Sequence, residues 1–191
     1  MATRESVLDV TARLYAEHGW RGTTTRRIAT EAGINEVTLF RQFGSKELLL
    51  NEAIGVAVTQ TAPELPDPPR HLRTELTRWC LANHALIKAR SGIIRASLAE
   101  WAERPALAPQ ACSGGAVAFG AVHQYLTQAR LAGLISADGS LEAASRMLIN
   151  TVFMDAMMRE AIPASYPDPL ELTVARTVDL ILRGLGAREA A

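Results

Sequence analysis

Cysteine is scarce in this chain, proline is absent from its first third, and neither sign of charge is in excess. The two cysteines, Cys80 and Cys112, cannot by themselves make a disulfide framework or a four-ligand zinc site. Lysine plus arginine and aspartate plus glutamate both number 20, so the formal net charge is zero and bulk positive charge is excluded as a way of holding nucleic acid. No apolar run approaches the roughly 18 residues of a membrane span. Met1 to Glu5 lacks the apolar core of a secretion signal, so a soluble, cytoplasmic protein is expected. None of the motifs HExxH, GxSxG, GxGxxG or CxxC is present. His18, His71, His84 and His123 lie on separate segments. The expectation is therefore no enzyme, no metal and no cofactor.

What the chain does contain is helical periodicity. Its 191 residues suffice for a core without covalent staples. Apolar residues recur at spacings of three and four, alternation of period two is hard to find, and no repeat of 20 to 50 residues is visible. The first proline is Pro63, and Pro63, Pro66, Pro68 and Pro69 then crowd seven positions that no helix interior tolerates. That run predicts a junction between a small N-terminal unit and a larger second one. Further breaks are expected at Pro105 to Pro109, Gly133 to Gly139 and Pro163 to Pro169.

The first 50 residues are the most informative. One helix is predicted from about Ser6 to His18, with Val7, Val10 and Leu14 on one stripe and Gly19 as its stop. Thr23, Thr24 and Thr25 offer an N-cap for a short helix from Arg26 to Ala32, and Gly33-Ile34 makes a tight turn. Asn35 caps a third helix, Glu36 to Phe43, and Ser45 caps a fourth after Gly44. Two short helices joined by a few residues including glycine form a helix-turn-helix. Between residues 21 and 46 the cations Arg21, Arg26, Arg27, Arg41 and Lys46 face only Glu31 and Glu36, a local charge of 5 − 2 = +3. The basic patch that overall neutrality conceals is here. Lys46, in the first turn of the fourth helix, sits where the helix dipole disfavours a cation, and a DNA phosphate placed there would remove the penalty.

The second part predicts five helices. Leu72, Leu76, Trp79, Asn83 and Leu86 mark the first, and Ile94, Leu98 and Trp101 the second. Ala116, Phe119, His123 and Leu126 mark a third, and residues 140–162 and 168–185 supply the last two. From Met147 to Met158 apolar side chains surround the helix, broken only by Asn150, Thr151 and Asp155. The last helix, with Leu170, Val174, Val178, Ile181, Leu182 and Leu185, is also apolar beyond one stripe. Faces this wide belong either to a domain centre or to a subunit interface. The expectation is a homodimer through Met154, Met157, Met158, Val174, Val178, Ile181 and Leu182.

Val7-Leu8, Leu14-Tyr15, Gly19, Thr23-Thr24, Ile28-Ala29, Ala32-Gly33-Ile34, Thr38 to Phe43 and Ser45-Lys46-Glu47 follow one another without a gap. This series closely resembles the DNA-binding domain of the TetR family of bacterial transcriptional regulators, over roughly residues 5 to 50. The rest of the chain matches that family only in helix count and order. The resemblance implies an all-α protein of about nine helices. A homeodomain-like three-helix head would occupy residues 1–50, with the fourth helix, from about 45, linking it to a ligand-binding and dimerisation bundle over 51–191. It implies base contacts by Arg26, Glu36 and Val37, and phosphate contacts by Thr25, Thr38, Gln42 and Lys46. Arg41 adds charge on the same helix, and Phe40 stands where the family more often has tyrosine, so that hydroxyl is missing. It further implies an effector pocket in the second unit. Trp79, Asn83, His84, Trp101, Phe119, His123, Met147 and Asn150 are its candidates, since aromatics with a few polar groups suit a largely apolar small molecule. The function so implied is a ligand-responsive regulator, a repressor, binding palindromic double-stranded DNA as a homodimer. A helical sensor or carrier without specific DNA recognition is the alternative.

Overall fold

The computed structural model describes residues 3–58, 64–136 and 138–187, with the side chains of Ala108, Gln110 and Cys112 outside the description. Among the described residues the protein is all helix: nine α-helices, one short 3-10 turn at Pro163–Ser165, and no strand. The first four helices are α1 (Arg4–Gly22), α2 (Thr25–Ala32), α3 (Glu36–Phe43) and α4 (Lys46–Val58). Then come α5 (Leu72–Ala89), α6 (Ser91–Ala99), α7 (Leu107–Leu131), α8 (Leu141–Met158) and α9 (Leu170–Gly184).

Local chemistry accounts for the boundaries of the head. The Thr3 side chain accepts the Ser6 N–H at the start of α1. Gly19, at φ 62° and ψ −168°, breaks the α1 geometry before a last turn that carries Trp20. A side chain at that φ would be strained, which is why the stop signal lies at a glycine. Thr24 caps α2 by accepting the Arg27 N–H, and Gly33, left-handed at φ 67°, closes the helix so that the Ile34 N–H reaches the Ala29 carbonyl at 2.9 Å. The Asn35 side chain caps α3 through the Val37 N–H, and the Ser45 hydroxyl accepts from the Leu48 N–H in the first turn of α4.

The chain forms two compact units that do not follow chain order. The first comprises Met1–Gln60 and Ala89–Gly114, and the second Thr61–Lys88 and Gly115–Ala191. In the first unit Leu14, Tyr15, Ile28, Leu39, Leu49, Leu50 and Ile54 are completely buried in one core, which Ile93 of α6 and Leu107 of α7 also join. The head expected over 1–50 thus packs together with residues from beyond 88, because α6 lies along α1. In the second unit Leu76, Cys80, Val122, Leu126, Leu148 and Val178 are the deepest members of the core.

One boundary differs from the sequence expectation. The third helix of the second part, predicted from about Ala116, begins at Leu107, and Pro109 falls in its first turn. A proline is tolerated there because the first-turn N–H groups have no helical partner to lose. The predicted junction at Ala62-Pro63 lies outside the described residues, while Glu64 to His71 is non-helical.

Candidate nucleic-acid interface and interior polar cluster

Helix α3 has two faces. Leu39 and Phe43, four residues apart, are buried in the core of the first unit. The opposite face carries Val37, 75% exposed, with Phe40, Arg41 and Gln42 also exposed and Thr38 half-buried. Two large apolar side chains, Val37 and Phe40, thus stand in solvent beside Arg41 and Gln42 on a short, firmly capped helix. Arg26 on α2 and Arg41 on α3 are exposed and make no ion pair among the described residues, so both guanidinium groups are available to an anion.

Other expected contacts are engaged. The Thr25 hydroxyl donates to Glu36 Oε1, joining the N-terminus of α2 to that of α3. A hydroxyl has one proton, so Thr25 can donate to a phosphate only by releasing Glu36. The second Glu36 oxygen takes no hydrogen bond among the described residues. Arg27 donates to Glu31 at 3.1 Å, and Arg13 reaches the same carboxylate at 2.6 Å. Hydrogen bonds from Arg13 and then Arg27 hold the Glu31 carboxyl below its ordinary range. Lys46 is folded inward. Its Nζ donates to the Trp20 carbonyl at 2.6 Å and stands 4.2 Å from the centre of the Trp20 ring. Burial pushes its pKa down, with Glu47 opposing the shift and Arg104 adding to it.

The second unit contains a buried polar cluster that sequence reasoning found only in part. Asn83 and His84, adjacent on α5, are both buried. The partner of His84 is Asp155 of α8, 3% exposed, whose Oδ1 accepts from His84 Nε2 at 3.0 Å. Arg159 grips the same carboxylate through Nε at 2.8 Å and Nη2 at 2.7 Å, and donates also to the Asp168 carbonyl and the Thr173 hydroxyl. The Asn83 Nδ2 is buried without a hydrogen-bond partner among the described residues. The sequence signal for Asp155 and Arg159 was present: a lone acid in an apolar run, four residues before an arginine, one helical turn away. Beside Asp155, between α8 and α9, lies a small cavity of about 10 Å³ whose walls are mostly apolar, formed by Leu148, Val152 and Val174 with Thr151, Thr173 and Thr177.

The remaining pocket candidates divide. Trp79 is buried in the core of the second unit, and Phe119 and His123 stack on α7 at 5.6 Å with the Arg146 guanidinium over the Phe119 ring. Trp101, 60% exposed, Met147, 58% exposed, and Asn150, also exposed, do not line an interior site. Trp101 belongs to the first unit, on the turn after α6, and Met147 and Asn150 occupy the outer face of α8. The interface expectation needs a similar correction. Val174, Val178, Ile181 and Leu182 fill the core of their own subunit, because α9 turns its apolar stripe onto α8, and they are unavailable to a partner. Met154 is exposed, and Met157 and Met158 are half-buried. No group of three His, Cys, Asp or Glu able to hold a metal occurs among the described residues, and no described helix is long and apolar enough to cross a membrane.

The architecture is that of an all-helical protein with a helix-turn-helix head. Residues 7–53 match the family model described as bacterial regulatory proteins, tetR family. The HTH-type transcriptional repressor KstR2 of Rhodococcus jostii (strain RHA1) is 45% identical over 51 residues, 27% of this chain and 25% of that protein. The HTH-type transcriptional regulator YvkB of Bacillus subtilis (strain 168) is 30% identical over 105 residues, 51% of this chain and 52% of that protein. The chain therefore spans between a quarter and about half of the length of these curated relatives. A crystal structure of a TetR transcriptional regulator from Agrobacterium tumefaciens shares the fold, with a TM-score of 0.77 over 97% of this chain and 94% of that one at 19% identity. Over residues 7–53 the chain is thus similar to the tetR family of bacterial regulatory proteins, and its described residues share the fold of the Agrobacterium tumefaciens regulator.

Proposed function

We propose that this protein regulates transcription by docking the outer face of α3 in the major groove of double-stranded DNA. The observation that carries the reading is that face itself: Val37, Phe40, Arg41 and Gln42 are exposed on a helix whose other side is locked into a core. Arg26 is suited to a guanine edge, Val37 to a thymine methyl, Glu36 to a cytosine amino group, and Thr38, Gln42 and Arg41 to the backbone. Two copies reading a palindrome would multiply the discrimination of one short helix, with half-sites about 34–36 Å apart.

The exposed stripe Met147, Thr151, Met154 on α8, with Leu172 and Leu180 on α9, suits the surface of a homodimer. Met154→Asp is expected to turn a sedimenting dimer into a monomer, and a dimer that survives the change moves the interface elsewhere. The second unit is the proposed seat of a largely apolar effector, with Trp79 as apolar wall and Asn83, His84 and His123 as polar contacts. Binding that favours one conformation would then shift the DNA-competent population, as a repressor in the cytoplasm requires.

Selection of duplexes from a random pool by the purified full-length protein tests the core of this reading. A two-fold symmetric motif is expected, with affinity falling linearly as log salt rises. A pool that enriches nothing, while the protein takes up an apolar dye, would instead favour a sensor or carrier.

A further inference from the structure

Helix α4 keeps an apolar stripe in solvent. Leu48 and Val56, about two helical turns apart, are 60% and 47% exposed, and Glu52 lies midway between them. They edge an open groove of about 710 Å³, within the roughly 300–1,000 Å³ of small-molecule sites. Its other walls include Arg4 at the start of α1 and Gln42 and Phe43 at the end of α3. All of these residues lie within the first compact unit.

Two features of the wall select its occupant. Arg4 and Glu52, the charged residues of the lining, are spent on each other. The guanidinium donates to both carboxylate oxygens, at 2.7 Å from Nη2, and lies 4.8 Å from the centre of the Phe43 ring. An ionised ligand would have to break that pair to find a counter-charge. Asn51, in the same wall, has its Oδ1 buried without a hydrogen-bond partner among the described residues. An unpaired buried acceptor is costly, and a rotation of the side chain that turns the oxygen to the groove lets a donor remove the cost.

We propose that this groove binds a neutral, largely apolar molecule with a hydroxyl donor, of the phenol type. Its ring lies against Leu48 and Val56, and its hydroxyl donates to Asn51 Oδ1. The site belongs to the first unit and is separate from the effector seat proposed in the second. Gln42 stands in the same wall, so an occupant covers one flank of a side chain that the DNA reading assigns to the backbone. That consequence rests on α3 as the DNA-docking helix, whereas the binding site does not.

The test titrates the full-length protein with p-cresol at neutral pH and follows the Leu48 and Val56 methyl resonances and the Asn51 side-chain amide. All three are expected to move and to saturate at about millimolar concentration. The methyl ether of p-cresol, which has the ring but no donor, is expected to bind about three- to tenfold more weakly. The anion p-toluate, of nearly the same outline, is expected to bind at least about tenfold more weakly. Asn51→Leu is expected to bring p-cresol down to the affinity of its ether, while Asn51→Asp, which keeps an acceptor, retains the preference. The comparison of the three probes on the wild type needs no variant. Equal affinity for p-cresol and its ether, binding of p-toluate as tight as that of p-cresol, or no shift at Leu48 and Val56 overturns the proposal. On a duplex that the wild type selects from a random pool, saturating p-cresol is expected to weaken binding about fivefold, and undiminished binding overturns the coupling to DNA. If no duplex is enriched, the DNA reading falls, while the methyl shifts still decide the site.

Discussion

Replacing Asp155 with asparagine is the most discriminating test of the second unit. The carboxylate accepts two hydrogen bonds from Arg159 at 2.8 and 2.7 Å and one from His84 at 3.0 Å, with almost no access to solvent. Asparagine keeps the shape but turns one acceptor into a donor facing a donor, and leaves the guanidinium without its counter-charge. Removing one partner of a fully buried pair costs about 3–5 kcal/mol. The Arg159 side chain retains 22% exposure and its bonds to the Asp168 carbonyl and Thr173, so part of its charge can be rehydrated. The expected loss is therefore about 2–4 kcal/mol, equivalent to a melting temperature lower by roughly 5–15 °C for a chain of this size. Urea titrations at several pH values supply the assay. Burial alone would raise the Asp155 pKa, but the Arg159 hydrogen bond and charge, with His84 behind them, hold it below its ordinary 3.8. A lowered folded-state value means that the contribution is complete above the ordinary value and disappears as pH falls through the folded one. The gap between wild type and Asp155→Asn should hence be constant from neutrality to about pH 5 and narrow below about pH 4. A variant within about 0.5 kcal/mol of wild type at pH 7, or a gap that ignores acid, would refute the argument.

Three further outcomes follow from other parts of the fold. A Cβ on Gly92 would stand 3.0 Å from the Ala16 Cβ and 3.1 Å from its carbonyl, so Gly92→Ala should cost about 1–2 kcal/mol by chemical denaturation, whereas Gly120→Ala, with nothing within 4 Å, should be neutral or stabilising. Arg26→Ala should relax preference at one base position per half-site at a cost of about 1–3 kcal/mol on the selected duplex, and equal weakening on all sequences would remove it from base reading. Burial pushes the Cys80 thiol up to about 12, so peptide mapping after alkylation of the native protein at pH 8 should find it unmodified until denaturant is added. Labelling at the native rate of an exposed thiol would show that the second-unit core opens.

The head was legible because its signals are local. Thr24, Gly33, Asn35 and Ser45 act on backbone groups within a few residues, so their caps and turns could be placed before any tertiary contact was known. The apolar pairs Leu14 with Ile28 and Leu39 with Phe43 then left no choice about which faces turn inward. Periodicity was less informative in the second unit. A stripe wider than one helical face is compatible with a core or an interface, and Val174, Val178, Ile181 and Leu182 proved to be core. Trp101 and Met147 misled in the opposite sense, since an aromatic or a methionine on an apolar helix carries no mark of which side solvent will occupy.

Sequence alone determined the helical class, the capped helix-turn-helix and its local excess of positive charge, because each depends on residues close together along the chain. Tertiary structure decided which charges stay available. Arg26 and Arg41 make no ion pair among the described residues, while the Lys46 ammonium sits on an indole 26 positions earlier and Asp155 meets a histidine 71 positions away. Pairings over such separations depend on how whole helices lie against one another, and no spacing rule within a single helix encodes that.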